Sequence, residues 1–145
     1  MMLHPHCPCS RASIEELAQI MTRCQGRLNC HVFFVKPTQF PVGWERTDLW
    51  RQAAAIPGVT VSCDVAGIEA RRFGAATSGQ VLLYKPDGQL VFSGGITLAR
   101  GHEGDNRGHE AVIRFLTEGV GELPCTPVFG CPLFDPLSPD EEASQ

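Results

Sequence analysis

The chain lacks any run of about 20 apolar residues, the length a helix needs to cross a bilayer. Its first residues, "MMLHPHC", lack the basic start and apolar middle of an export signal, so the sequence as it stands reads as soluble, with no membrane partner. Basic residues are not clustered. With a net charge of −4 there is no general attraction for nucleic acid or anionic lipid, and no nucleic acid is expected as a partner. Also absent are the G-x-S-x-G, phosphate-loop and dinucleotide fingerprints, and "GHEGDN" has neither the helix nor the spacing of an H-E-x-x-H zinc protease.

The composition, 145 residues with 43% hydrophobic and 19% charged, suits one compact domain with an ordinary core. We place that domain at 1–121 and a Pro-rich tail at 122–145. In the tail, Val128, Phe129, Leu133 and Phe134 are expected to dock on the domain, and the acidic last ten residues to be disordered.

Cysteine is plentiful. There are seven, an odd number at uneven spacing, which argues against a small secreted disulfide scaffold and leaves at least one thiol free or reactive. Cys24, Cys30 and Cys63 lie in or beside apolar segments and read as small buried hydrophobes. Cys7, Cys9 and Cys131 lie in Pro- or Gly-rich turns and are the candidates for chemistry. Cys125 and Cys131 could instead close a local loop.

Apolar residues at helical spacing predict a helix in "SRASIEELAQIMTRCQG", capped by Ser10 or Ser13 and stopped by Gly26. "NCHVFFVKP" predicts a strand buried on both faces. "TDLWRQAAAI" predicts a helix capped by Thr47 or Asp48, "VTVSCD" a strand and "VAGIEARRFGA" a helix. Two apolar runs around "KPDG" predict a β-hairpin, and Asp105 or Asn106 should cap a last helix in "RGHEAVIRFLTEGV". The resulting class is α/β with a terminal hairpin and a covering helix.

In "HPHCPCSRAS" the helix begins directly after Cys9. A thiol in a first helical turn feels the positive end of the helix dipole, so Cys9 is expected to be the more activated sulfur. A Cys7–Cys9 disulfide falls within reach but in a strained ring, and strained disulfides are the more easily reduced. His4 and His6 could favour a thiolate as imidazolium or serve as metal ligands. The alternative reading is a site for zinc or copper(I) built from Cys7, Cys9, His6 and Cys131, although paired zinc ligands more often appear as C-x₂-C.

"HPHCPCSRAS", "TSGQVLLY", "SGGIT" with "RGHEGDN", and "TPVFGCPLF" together resemble the thioredoxin-like proteins labelled RedB. The likeness to the wider thioredoxin superfamily covers about residues 3–119. It implies a thioredoxin-like mixed sheet flanked by helices and thiol–disulfide exchange with a disulfide- or thiol-bearing protein partner. The chain departs from the superfamily pattern in three ways. Aligned on C-x-x-C, Cys9 takes the resolving position and Pro8 the usual proline, while His6 stands where the nucleophile belongs. Gly79 stands near the usual cis-proline. Only "MML" precedes the turn, so the first strand is truncated; a missing N-terminal extension, with an anchor or export signal, would make the protein periplasmic or membrane-anchored.

The thioredoxin-like topology would bring the loop "ITLARGHEGDNRGH" to the thiols, with His102, Glu103, Asp105 and His109 as supporting groups. It would bring Thr77, Ser78 and Gly79 there as a partner-binding edge together with Pro8. Cys131 would join them as a resolving thiol or a metal ligand. The Pro-x-x-x-Thr-x-x-Cys arrangement of peroxiredoxins is missing around Cys7.

Overall fold

A computed structural model describes residues 1–119 and 125–134. Three parallel strands form one sheet: β1 (Met2–Leu3), β2 (Cys30–Lys36) and β3 (Val59–Val65), with β2 in the middle. β4 (Val81–Tyr84) and β5 (Leu90–Gly94) form an antiparallel hairpin. The helices are α1 (Ser10–Arg23), α2 (Asp48–Ala54), α3 (Ile68–Arg72) and α4 (Arg107–Glu118). The α/β class and the order of elements match the sequence reading. None of the helices described is long and apolar enough to cross a membrane.

Alternation along β2 explains why this strand is central. Cys30, Val32 and Phe34 point into the larger core, with Leu3, Ile14, Leu17, Ile20, Ala53 and Val112. Phe33 and Val35 point to the opposite face, where Met2, Ala70, Ala75 and Leu133 form a second core. A strand with apolar residues at successive positions can bury both faces, which a parallel sheet between two layers requires. The larger core is walled by α1, α2 and α4. The smaller is closed by α3 and by Leu133, only 2% exposed, so the described part of the tail is an integral piece of the fold.

The two sheets meet through β1. Met2 forms a single antiparallel bridge with Gln80, in which the Met2 N–H donates to the Gln80 carbonyl at 2.9 Å and the Gly79 N–H to the Met2 carbonyl at 2.8 Å. With only two residues, β1 cannot extend this pairing, so the expected mixed sheet divides into a three-stranded and a two-stranded part. A cavity of about 750 Å³ lies between β2 and β4, lined by residues including Met1, His31, Phe33, Val81, Leu83 and Tyr84. The thiol turn does not line it.

At the hairpin turn, the Gly88 N–H donates to the Lys85 carbonyl at 2.9 Å and the Asp87 carboxylate accepts from the Gln89 N–H, as the "KPDG" sequence predicts. Asn106, one of the two predicted caps, accepts from the His109 N–H at the start of α4. The predicted caps of α1 behave differently. Cys9 stands at the N-cap without a side-chain cap bond, and the hydroxyl of Ser10, the first helical residue, is engaged with Ser78.

Candidate functional site

The stretch from His4 to Arg11 winds into α1 through overlapping turns. The Cys7 N–H donates to the His4 carbonyl, the Ser10 N–H to the Cys7 carbonyl and the Arg11 N–H to the Pro8 carbonyl. Cys9 already has right-handed helical angles. Side chains two apart on a helical turn do not face each other, and the cysteines diverge accordingly. Cys7 points inward and is 1% exposed; Cys9 points outward and is half-buried. Both are free thiols, as are the other five, and neither the Cys7–Cys9 nor the Cys125–Cys131 link is present.

Three segments lock together beneath the turn. The Ser78 hydroxyl accepts from the His4 N–H at 2.8 Å and lies 2.7 Å from the Ser10 hydroxyl. Ser78 in turn donates its N–H to the Cys131 carbonyl at 2.8 Å, and the Leu133 N–H donates to the Ala76 carbonyl at 2.9 Å. The tail therefore pairs with residues 76–78 like a short antiparallel strand, with a bridge between Thr77 and Pro132. Of the predicted partner-binding edge, Ser78 and Gly79 are buried and the Thr77 backbone is covered by the tail. Only Pro8 of that set is exposed. The edge that the sequence reading left open is occupied by the chain itself.

This pairing carries Cys131 to Cys7. The Cys131 N–H donates to the Cys7 sulfur at 3.3 Å, and the Cys131 thiol is the neighbouring group that most favours a charge on Cys7. Burial opposes a charge on Cys7. It is outweighed by the Cys131 thiol and N–H together with the Ser10 hydroxyl and the Cys9 N–H, so the Cys7 pKa falls below the ordinary thiol value. Burial and the neighbouring Cys7 push the Cys131 thiol up, and Arg100 partly offsets them. Cys7 is thus biased toward thiolate, and the proton of the pair toward Cys131.

Arg100 is the group the sequence reading missed. Its Nε donates to the Cys9 sulfur at 3.2 Å and its Nη2 to the Cys131 sulfur at 3.4 Å, so one exposed guanidinium joins the two outer thiols. The only signal was its place in the loop "ITLARGHEGDN", which does reach the thiols, though through Arg100. His102, Glu103 and Asp105 are exposed, and Glu103 approaches Glu15 on α1. His109 is buried, with its Nδ1 2.5 Å from a Glu16 carboxyl oxygen but off the hydrogen-bonding direction. The other Glu16 oxygen accepts from the Gly104 N–H at 2.9 Å. These two groups pin the loop and α4 to α1; they support the site from behind.

The imidazoles of His4 and His6 both lie against Trp44. The His6 ring packs at 4.4 Å from Trp44 and its Nε2 meets the Trp44 carbonyl, while His4 contacts the same indole edge-on. Trp44 stacks on Phe40, which makes an aromatic flank beside the turn. Among the described residues, no group of three or more His, Cys, Asp or Glu side chains converges to hold a metal ion.

Cys7 accepts from the Cys131 N–H and Cys9, the sulfur the sequence favoured, accepts from Arg100. What the cluster offers chemically is a buried sulfur biased toward thiolate, a second sulfur biased toward the thiol, and a third tied to that second one through a cation.

No protein-family model and no curated protein matches the chain. Two solved structures share its fold. A hypothetical protein from Sinorhizobium meliloti superposes with a TM-score of 0.68 at 20% identity, over 91% of this chain and 75% of that one. An uncharacterised conserved protein from Geobacillus kaustophilus gives 0.66 at 20% identity, over 95% and 77%. At this identity the likeness concerns the fold alone.

Proposed function

We propose that the chain is a thioredoxin-like domain that exchanges disulfides with a protein partner. The observation that carries this reading is the meeting of Cys7, Cys9 and Cys131 at the start of α1, around Arg100 and with Cys7 biased toward thiolate. Such an environment favours the nucleophilic form of sulfur, and purely structural cysteines have no need of it. The order of thiol turn, helix, parallel strand, hairpin and closing helix supports the thioredoxin-like assignment.

In the exchange, a thiolate of the cluster attacks the partner disulfide, forms a mixed disulfide and releases one partner sulfur. A second cluster sulfur attacks the mixed disulfide and releases the other. Two electrons pass from the cluster to the partner, whose two sulfurs take up two protons and end as thiols. A small dithiol can return the protein disulfide to its reduced form.

The test is reduction of a disulfide-linked peptide driven by dithiothreitol. Wild-type protein should accelerate it catalytically, and Cys7→Ser should return the rate to that of dithiothreitol alone. Full activity in both Cys7→Ser and Cys9→Ser would contradict the reading.

A further inference from the structure

We propose that the redox disulfide of this protein joins Cys7 to Cys131, linking the N-terminal turn to the C-terminal segment, with Cys9 outside the couple. This rests on the thiol-exchange reading and specifies the pair that carries it.

The first ground is direction. The turn between Cys7 and Cys9 is helical, so a bond between these sulfurs would require one side chain to swing across the turn and the Cys7–Ser10 backbone bond to open or distort. Cys131 needs no such change, because its N–H already meets the Cys7 sulfur at 3.3 Å.

The second ground is how firmly Cys131 is held. Backbone bonds from Ser78 to the Cys131 carbonyl and from Leu133 to the Ala76 carbonyl flank it, and Leu133 is buried. Gly130 packs so closely that a Cβ there would collide with the Ser78 carbonyl. Upstream, the Thr126 hydroxyl donates to the Gly95 carbonyl at 2.7 Å. A Cβ at Gly94 or Gly95 would strike Thr126 or Pro127. The segment is anchored at Thr126, Gly130, Cys131 and Leu133, and the position of Cys131 is set before any reaction begins. Such pre-positioning raises the effective concentration of one sulfur at the other.

The third ground is access. A partner disulfide cannot reach Cys7, which is 1% exposed, but it can reach Cys131 beside Arg100. Cys131 is therefore the attacking sulfur and Cys7 the resolving one. As Cys131 attacks, the proton of the pair passes to Cys7; the first partner thiolate to leave then takes that proton. Cys7 next attacks the Cys131 sulfur of the mixed disulfide and expels the second partner thiolate, which is protonated from water. One disulfide is lost and one formed, and two electrons move from the Cys7–Cys131 pair to the partner. Arg100 is a positioning residue that holds the charge on the outer sulfur during the attack.

The experiment is peptide mapping after oxidation. Fully reduced, full-length protein is treated with oxidised glutathione, remaining thiols are alkylated without reduction, and linked peptides are identified by mass spectrometry. The expected product is a Cys7–Cys131 peptide in wild type that persists in Cys9→Ser and disappears in Cys131→Ser. A Cys7–Cys9 peptide in wild type, retained in Cys131→Ser, would overturn the inference and leave thiol exchange standing. Absence of any intramolecular disulfide would overturn both. The wild-type map decides between these outcomes even if a variant folds poorly.

Discussion

At the scale of single residues, the site turns on where one proton rests. Cys7 and Cys131 titrate as a pair, with the first loss favoured on Cys7 and the second delayed on Cys131. For stability their effects oppose each other. A thiol lowered in the fold contributes stability that is full above its unfolded value and lost as pH falls through its folded value. A raised thiol contributes stability that is full below its unfolded value and lost as pH rises through its folded value. Thiolate absorbance is thus the cleaner readout. The Cys7 signal, taken as wild type minus Cys7→Ser, should persist as pH falls below about 8.5, where a free thiol is half protonated. Cys131→Ala removes the neighbouring thiol and should move that midpoint upward; a midpoint unchanged by Cys131→Ala would contradict the bias that Cys131 gives Cys7. The sequence pointed to Cys7, Cys9 and Cys131 because each sits in a turn rich in Pro or Gly. It favoured Cys9 from the helix dipole alone, since the bias toward Cys7 depends on which sulfur points inward and on donors 124 residues away in the chain, as between Cys7 and Cys131.

At the scale of elements, the tail works as a strand that happens to carry a thiol. Its docking explains Gly94 and Gly95 of "SGGIT", Gly108 in the first turn of α4 and Gly130 of "TPVFGC" together. Gly94 and Gly95 admit Thr126 and Pro127, Gly108 lies against the Gly95 carbonyl, and Gly130 lies against Ser78. These motifs stood out in the sequence separately; their mutual contact was invisible because it is made by close backbone approach, which leaves no hydrophobic period to read. Gly130→Ala forces Cβ into the Ser78 carbonyl, so it should cost about 1–3 kcal/mol, in the range of overpacking substitutions. Urea unfolding measures that loss. Because the shift falls at Cys131, oxidation of Gly130→Ala should also yield much less of the Cys7–Cys131 link; wild-type stability and wild-type linkage would contradict the account. The strands and helices themselves were legible, since β2 carries apolar residues on both faces and the hairpin carries its turn sequence. The α1 cap was not, because Ser10 is itself the first helical residue and its hydroxyl meets Ser78 in a buried site where neither can bond water.

At the scale of the whole molecule, the sheet, α1 and the tail converge on one end, where the thiols lie. The buried Glu16 and His109 hold the Arg100-bearing loop and α4 to α1, and Leu133 closes the second core. Parallel topology made that convergence readable in outline, while the division of the sheet follows from β1 having two residues. The most direct test of the central claim is a count of free thiols, made after acid quenching and denaturation, in protein moved from a reducing to an oxidising glutathione buffer and back. The account predicts a loss of two from the seven free thiols, recovered on return and without any intermolecular product. A count that stays at seven in both buffers would contradict it.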